Sequence, residues 1–161
     1  MVTTEKEAFN AIVAHHAILV GEVTRLTKLM VDNGEPEELA KADLIHYLGS
    51  EAVPHAIAEE LSIYEAATRD LGLTELIEQM TQEHKTLVDE LAQLKSSSTE
   101  AEAKEHANRF LSLFSDHVAR ENELILPGLR DSASVDLAET LGEMHKLFEA
   151  AKGVAAQRDS H

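Results

Sequence analysis

The sequence predicts an all-α fold, an antiparallel up-down-up-down four-helix bundle with a short fifth helix at the C-terminus. Only seven Gly and three Pro interrupt the 161 residues, and Ala, Leu, Glu and Lys fill the stretches between them. This is helical composition. Apolar residues in those stretches recur at alternating steps of three and four, the spacing of one helix face packed in a bundle. No segment alternates apolar and polar residues for long enough to predict a strand.

Clusters of turn-forming residues set the boundaries of the elements; they lie at 32–36, 70–72, 96–99 and 127–134. The predicted helices run near 5–31, 37–69, 73–95, 99–126 and 135–152. Short connections favour antiparallel neighbours. We therefore expect one domain over residues 1–161, with a four-helix core at about 5–126 and a C-terminal helix at about 135–152 that caps it.

Each of the four long segments carries its own apolar stripe. The first stripe holds Phe9, Ile12, His16, Leu19, Val23, Leu26 and Met30. The second holds Leu44, Leu48, Ala52, His55 and Glu59. The third holds Leu73, Ile77, Met80, His84, Leu87, Leu91 and Leu94, and the fourth holds Phe110, Leu113, His117, Glu121 and Leu124. A histidine therefore interrupts every stripe at a position that would suit a leucine.

Pro54 conflicts with a continuous second helix. It stands directly before His55, and a proline inside a helix removes one hydrogen bond and kinks the axis. Either this segment is two shorter helices, or it bends one residue before His55.

Charge and composition exclude several classes of function. The formal net charge is −16, from 14 Lys and Arg against 30 Asp and Glu, which argues against nucleic acid and anionic membrane as partners. The absence of Cys excludes a disulfide scaffold, a thiolate zinc site, a Cys-ligated iron–sulfur cluster and a Cys nucleophile. No apolar run approaches the ~18 residues of a membrane helix, and the N-terminus shows no secretory signal, so we expect a cytoplasmic protein.

Nine histidines in a Cys-free chain direct attention to metal chemistry with nitrogen and oxygen ligands. The in-stripe histidines are His16, His55, His84 and His117. Glu59 and Glu121 each follow one of them by four residues, and residues i and i+4 share one helix face. The order of His, then His-x3-Glu, occurs twice, which predicts a core with pseudo-two-fold symmetry.

A metal pair explains these six groups better than stability does. A buried unpaired carboxylate costs several kcal/mol, and a buried imidazole also needs partners. Each metal could take two imidazoles, while two carboxylates bridge both ions and leave room for a bridging oxygen and an open position. Imidazole and carboxylate without sulfur suit iron, with manganese or zinc as alternatives. A single His-x3-Glu is usually a surface pair, but two copies on two helices favour a site.

The pattern resembles the hemerythrin-like, HHE cation-binding family. The resemblance runs from His16 to Pro127 and includes Glu83-His84 and the His-x3-Glu-x5-Pro segment that ends at Pro127. It implies a four-helix bundle around a non-haem di-iron centre with a bridging oxo or hydroxo group. The ligands that it implies are His16, His55, Glu59, His84, His117 and Glu121.

Two positions depart from the oxygen-carrying hemerythrins. Their third helix offers His-x3-His, whereas Val88 stands four residues after His84 here. Their fourth helix offers His-x4-Asp, whereas position 122 is Asn and the carboxylate is Glu121. The site is expected to hold one histidine fewer, which favours turnover of a small ligand over reversible oxygen carriage.

The other histidines are assigned separately. His15 is expected at the surface or next to the ligands, and His46 at the surface. His106 is three helical turns from the site, roughly 16 Å away, and His161 is terminal. His145 is expected at a helix edge, with an additional ligand or a proton relay as the alternative.

Two tyrosines, Tyr47 and Tyr64, are expected to pack in the core, with a hydrogen bond to a site residue or an iron-bound oxygen as the alternative.

Two functions remain open. The first is reaction with peroxide, dioxygen or nitric oxide, as in a catalase or peroxidase, with His15, Glu83 or His145 as possible proton carriers. The second is oxygen binding, sensing or iron storage without turnover. A ferritin-like oxidase is excluded, because it needs Glu-x-x-His on two helices and no Glu here precedes a His by three residues.

Overall fold

The computed structural model describes residues 4–32 and 37–159, without the side chains of Glu37 and of 154–159. Within these ranges all assigned elements are helical, as predicted. The α-helices are α1 (Glu5–Val31), α2 (Glu37–Tyr47), α3 (Val53–Glu60), α4 (Ile63–Leu71), α5 (Thr74–Ser96), α6 (Glu100–Arg120), α7 (Leu126–Asp131) and α8 (Leu137–Asp159). Two π-helical turns, Leu48–Ala52 and Glu121–Ile125, join α2 to α3 and α6 to α7. His161 lies outside the described residues.

Capping residues fix several helix ends. The Thr4 side chain accepts a hydrogen bond from the backbone N–H of Glu7, whose carboxylate accepts one from the N–H of Thr4. This capping box starts α1. Thr99 caps α6 through the N–H of Glu102, and Gly72 ends α4 with φ 67°, a left-handed conformation that glycine adopts without strain.

The second predicted helix is divided into three pieces. The π-helical turn Leu48–Ala52 ends immediately before Val53 and Pro54, and Pro54 lies in the first turn of α3. The lack of an N–H on proline costs little there, because the wider π turn has already interrupted the regular ladder. A second interruption at Leu61 and Ser62 separates α3 from α4.

The fourth predicted helix is interrupted at its end, and the predicted burial of one stripe residue there is wrong. All stripe residues are buried or half-buried except Leu124, which is 51% exposed, while Ile125 is fully buried. The reason is the π-helical turn Glu121–Ile125. A π turn holds more residues than an α turn, so the inward face moves on by one position.

The helices pack around two apolar clusters. α1 contacts α2, α6 and α8; α5 contacts α6 and α4; and α3 contacts α8. One cluster includes Ile12, Ile63 and Met80, and the other includes Leu19 and Leu87. In the stripe of α1, Ile12 and Leu19 belong to different clusters, with His16 between them. The in-stripe histidines therefore lie where the two clusters meet.

The C-terminal helix α8 covers α1 and α3 and runs further than the predicted 135–152. The Glu5 carboxylate of α1 accepts hydrogen bonds from the N–H groups of Leu137 and Ala138 at the start of α8. Lys152 forms an ion pair with Glu51 at 2.9 Å. Within the described ranges, no helix combines the length and apolar content that crossing a bilayer requires.

Candidate metal centre

The structure brings the six predicted ligands into one buried volume. Each is 5% exposed or less. The stripes of α1 and α5 place one histidine each, while α3 and the end of α6 with its π turn each place a histidine and a glutamate. The six residues are His16, His55, Glu59, His84, His117 and Glu121.

Two trios of ligand atoms share Glu59. In the first trio, Nε2 of His16 and Nε2 of His55 are 3.1 Å apart, and they lie 3.3 and 3.2 Å from Oε2 of Glu59. In the second, Nε2 of His84 lies 3.5 Å from Oε1 of Glu59, with His117 as the third member. Ligand atoms within each trio lie within 4.8 Å of one another. Glu59 therefore presents one oxygen to each trio, as a bridging carboxylate would.

Glu121 lies beside the second trio. Its Oε1 is 3.4 Å from Nε2 of His117, and its carboxyl group is hydrogen-bonded to Glu59. Burial and the nearby charge of Glu59 raise the pKa of Glu121 well above its ordinary value. Burial acts in the same direction on Glu59, but attraction to His55 and hydrogen bonds from Glu121 and His16 outweigh it and hold the pKa of Glu59 well below its ordinary value. The opposite shifts mean that, of the two carboxyl groups, Glu121 holds a proton more readily than Glu59 does.

Two outer side chains orient the histidine rings. Oδ1 of Asn122 lies 2.8 Å from Nδ1 of His16, and Oε1 of Glu83 lies 2.9 Å from Nδ1 of His117. Both oxygens accept a hydrogen bond when Nδ1 carries the proton, which leaves the Nε2 lone pair directed into the centre. The Glu83 carboxylate is also bound by Arg120. Burial opposes this charge, yet hydrogen bonds from Arg120 and His117 lower the pKa of Glu83.

Tyr64 packs in the core, as expected, and its hydroxyl also makes the alternative contact, a hydrogen bond to a site residue. Its hydroxyl donates to Oε2 of Glu121 at 3.1 Å and lies 3.0 Å from Nε2 of His117 and 3.2 Å from Nε2 of His84. Tyr64 is five residues after Glu59, which is about 140° around a continuous helix. After the break at Leu61 and Ser62, α4 is placed so that the Tyr64 hydroxyl reaches the same centre as Glu59. Burial and the charges of Glu59 and Glu121 raise the pKa of Tyr64 far above its ordinary value.

These donors fit a pair of metal ions. Four imidazoles and two carboxylates without sulfur are the ligand set of iron, manganese or zinc. Nδ1 of His84 is buried without a hydrogen-bond partner in the described part of the chain. Imidazole nitrogens from three helices converge on the buried Glu59 carboxylate, and cations between them would supply the partners that such buried polar groups need.

A comparison with protein-family models decides the family. The hemerythrin HHE cation-binding domain model matches residues 7–129, and a second, overlapping match covers 75–158. The chain belongs to the hemerythrin HHE family. The first match contains all six candidate ligands. No curated protein and no solved structure shows a significant match to the chain.

Four further histidines that the structure describes in this hemerythrin domain lie outside both trios. His15 is half-buried, its ring centroid 5.1 Å from that of His55, and burial together with the neighbouring His55 and His16 lowers its pKa to about 4. His46 and His145 are exposed, and His145 lies beside a pocket next to His55. His106 pairs with Glu90 at 2.7 Å.

The sequence does not predict that Asn122 orients His16, and it gives only a weak signal that Tyr64 contacts the site. In the sequence, Asn122 differs from the oxygen carriers only by replacing their Asp, and an α-helical register does not predict its hydrogen bond to His16. Tyr64 carried the weak signal of being one of only two tyrosines. Its position depends on a helix break that no Gly or Pro marks.

Proposed function

We propose that this hemerythrin domain holds two iron ions and reacts with small oxygen or nitrogen species, namely peroxide, dioxygen or nitric oxide. The proposed ligands are His16, His55, Glu59, His84, His117 and Glu121, with an oxo or hydroxo bridge completing the pair. The observation that carries the proposal is the position of Glu59, whose two oxygens face different histidine pairs. One metal would leave half of this arrangement without a partner.

The roles of the chain's own residues follow from the geometry. Bound iron would supply redox chemistry and a site for the small ligand. Asn122 and Glu83 hold the rings of His16 and His117 with Nε2 inward. Tyr64 places an O–H against Glu121 and two histidines, and its raised pKa keeps the phenol protonated, so it acts as a hydrogen-bond donor inside the centre.

Reaction is favoured over oxygen carriage by one position on α5, the third long helix of the predicted bundle. Val88 stands where oxygen carriers offer a second histidine, and it is 46% exposed. The described side chains supply no histidine in its place, and the group beside His84 and His117 is the Tyr64 hydroxyl. The alternative, binding, sensing or storage without turnover, is supported by burial, since a closed site limits the approach of reductants and substrates.

We also propose that the core follows an up-down-up-down order within a single domain. The contacts of α1 with α2, of α5 with α6, and of α1 with α6 support neighbouring helix pairs joined by short connections.

Peroxide turnover by metal-quantified protein tests the function. We expect two irons per chain by elemental analysis, and oxygen evolution from hydrogen peroxide well above that of the same concentration of free iron. Much less than two metals per chain would overturn the di-iron proposal. Two irons with no turnover above free iron would overturn the catalase form, and repeated bleaching and recovery of an oxygen-dependent visible band would then favour reversible binding.

A further inference from the structure

A pocket of about 310 Å³ lies between α1, α3 and α8, beside the candidate metal centre. Apolar side chains form most of its wall: Ala11 and Ile12 from α1, and Leu141, Met144 and Phe148 from α8. The polar lining consists of histidines alone, with no Asp, Glu, Lys or Arg among the lining residues. Such a pocket favours small uncharged molecules, because an ion entering it would lose its hydration without a charged partner.

His55 separates this pocket from the metal centre. Its Nε2 lies 3.1 Å from Nε2 of His16 and 3.2 Å from Oε2 of Glu59, while its ring also lines the pocket. A molecule in the pocket is therefore in contact with the ring of a proposed iron ligand, on the other side of which the remaining ligands lie. Since all six donors are 5% exposed or less, a ligand from solvent needs a route of this kind.

Three rings of the pocket wall, those of His15, His55 and Phe148, pack against one another. Phe148 packs edge-on against His15 and His55, with ring centroids 5.9 and 6.3 Å apart, and the centroids of His15 and His55 are 5.1 Å apart. His55 is held by the centre, and His15 is adjacent to His16 on α1. Phe148 belongs to α8, so it is the one ring of the three that is neither a proposed ligand nor next to one in the sequence.

We propose that this pocket is the route by which small uncharged molecules reach the metal centre, and that Phe148 is the gate residue that sets their rate of passage. The proposal rests on the proposed di-iron function. It adds a route and a gate to that function, and it assigns α8 a role beyond covering the core. The ligand class is a weakly hydrated diatomic gas, for which dioxygen and nitric oxide share the required chemistry.

A reversible block of the pocket tests the route. The chain has no Cys, so an Ala11→Cys variant carries a single thiol at an exposed position of the pocket wall. Iron-loaded, reduced protein is labelled with methyl or benzyl methanethiosulfonate, and the association rate of nitric oxide is measured by stopped-flow absorbance. We expect the benzyl label to slow association by about tenfold, a barrier increase of ~1.4 kcal/mol, and the methyl label to slow it less.

Ala17→Cys with the benzyl label is the matched control. Ala17 lies on the same helix, is exposed and is not a lining residue of the pocket, so its label should leave the association rate unchanged. Equal rates for the Ala11 and Ala17 conjugates, with two irons per chain in both, would overturn the route and leave the di-iron proposal standing. Fewer than two irons in the unmodified protein would overturn the di-iron proposal instead.

Phe148→Leu tests the gate in the opposite direction. The smaller side chain should raise the nitric oxide association rate at unchanged iron content, and an unchanged or lower rate would overturn the assignment of Phe148. A readout independent of iron chemistry is xenon binding in pressurised crystals of the loaded protein. Xenon density in the pocket supports the route, and its absence there, with xenon bound elsewhere, contradicts it.

Discussion

The hydroxyl of Tyr64 donates a hydrogen bond to Oε2 of Glu121 at 3.1 Å. The two residues are 57 positions apart in sequence, on opposite halves of the pseudo-repeat. Tyr64 reaches Glu121 because a new helix, α4, begins after Ser62. The Ser62 hydroxyl donates a hydrogen bond to the carbonyl of Ala58 at 2.6 Å. This hydrogen bond joins a residue of the first repeat that is not a proposed ligand, Tyr64, to a proposed ligand of the second repeat, Glu121.

Tyr64→Phe removes this hydrogen bond and keeps the ring that stacks on His84 at 5.2 Å. We expect the metal-free protein to lose about 1 kcal/mol of unfolding free energy in urea, because a buried hydrogen bond disappears. Iron content should stay at the wild-type level, and peroxide turnover should fall. Tyr47→Phe is the control, since Tyr47 is half-buried and packs in the other cluster. Wild-type turnover in Tyr64→Phe would exclude a functional role for the hydroxyl.

The predictable part of the molecule is local in origin. A step of three or four residues repeats within a single helix, and burial follows that repeat, so the positions of His16, His84 and both His-x3-Glu pairs could be derived from the sequence. The repeated order of the ligands then implied that they meet. Neither inference needed the directions of the helices.

The unpredicted part lies where the helical register changes. The π turn Glu121–Ile125 shifts the inward face of its segment, and this exposes Leu124 and brings Asn122 to His16. Pro54 marked the first disturbance but did not distinguish a kink from a π turn. The break at Ser62 has no proline or glycine beside it, and the residues that follow it, Ile63 and Tyr64, are both buried in the core, so its signal is tertiary packing rather than a turn residue.

The two carboxylates are expected to be unequal as ligands. Glu59 belongs to both trios, whereas Glu121 contacts only His117 among the four histidines in the hydrogen bonds and ion pairs of the described residues. Glu59→Gln should remove both irons, while Glu121→Gln should retain iron at the trio of His16, His55 and Glu59. Elemental analysis after desalting measures the difference. Glu123→Gln, an exposed neighbour, should keep full iron content; equal losses in the two site variants would refute the bridging role of Glu59.

Asn122→Ala tests the orientation of the His16 ring. Loss of the 2.8 Å hydrogen bond frees Nδ1 of His16, and such outer partners typically contribute ~10–100-fold in metal affinity. We expect a reduction of that size for one of the two irons, measured by competition with a chelator. Asn108→Ala, at an exposed position of α6, should bind iron as the wild type does. Unchanged affinity in Asn122→Ala would mean that packing alone orients His16.

Alkaline stability should report the environment of Tyr47. Burial, with the nearby charges of Glu51 and Glu22, raises the pKa of Tyr47 from 10.0 to about 12. A raised pKa on an acid means that the fold favours the protonated phenol, so its contribution is complete below pH 10 and declines as pH rises toward 12. In urea unfolding at about pH 9 and about pH 11.5, the wild type should therefore lose more stability than Tyr47→Phe does. Parallel losses in the two proteins would contradict a raised pKa.

His145 is expected to belong to the pocket wall and not to the metal ligands. Its side chain is exposed and lines the pocket beside His55, and it belongs to neither trio of ligand atoms. His145→Ala should therefore keep both irons and the wild-type visible spectrum, because no donor is removed. The matched change His84→Ala should lose iron from the second trio, since its Nε2 faces Oε1 of Glu59 at 3.5 Å. Iron loss in His145→Ala as large as in His84→Ala would show that α8 supplies a ligand when the metals bind.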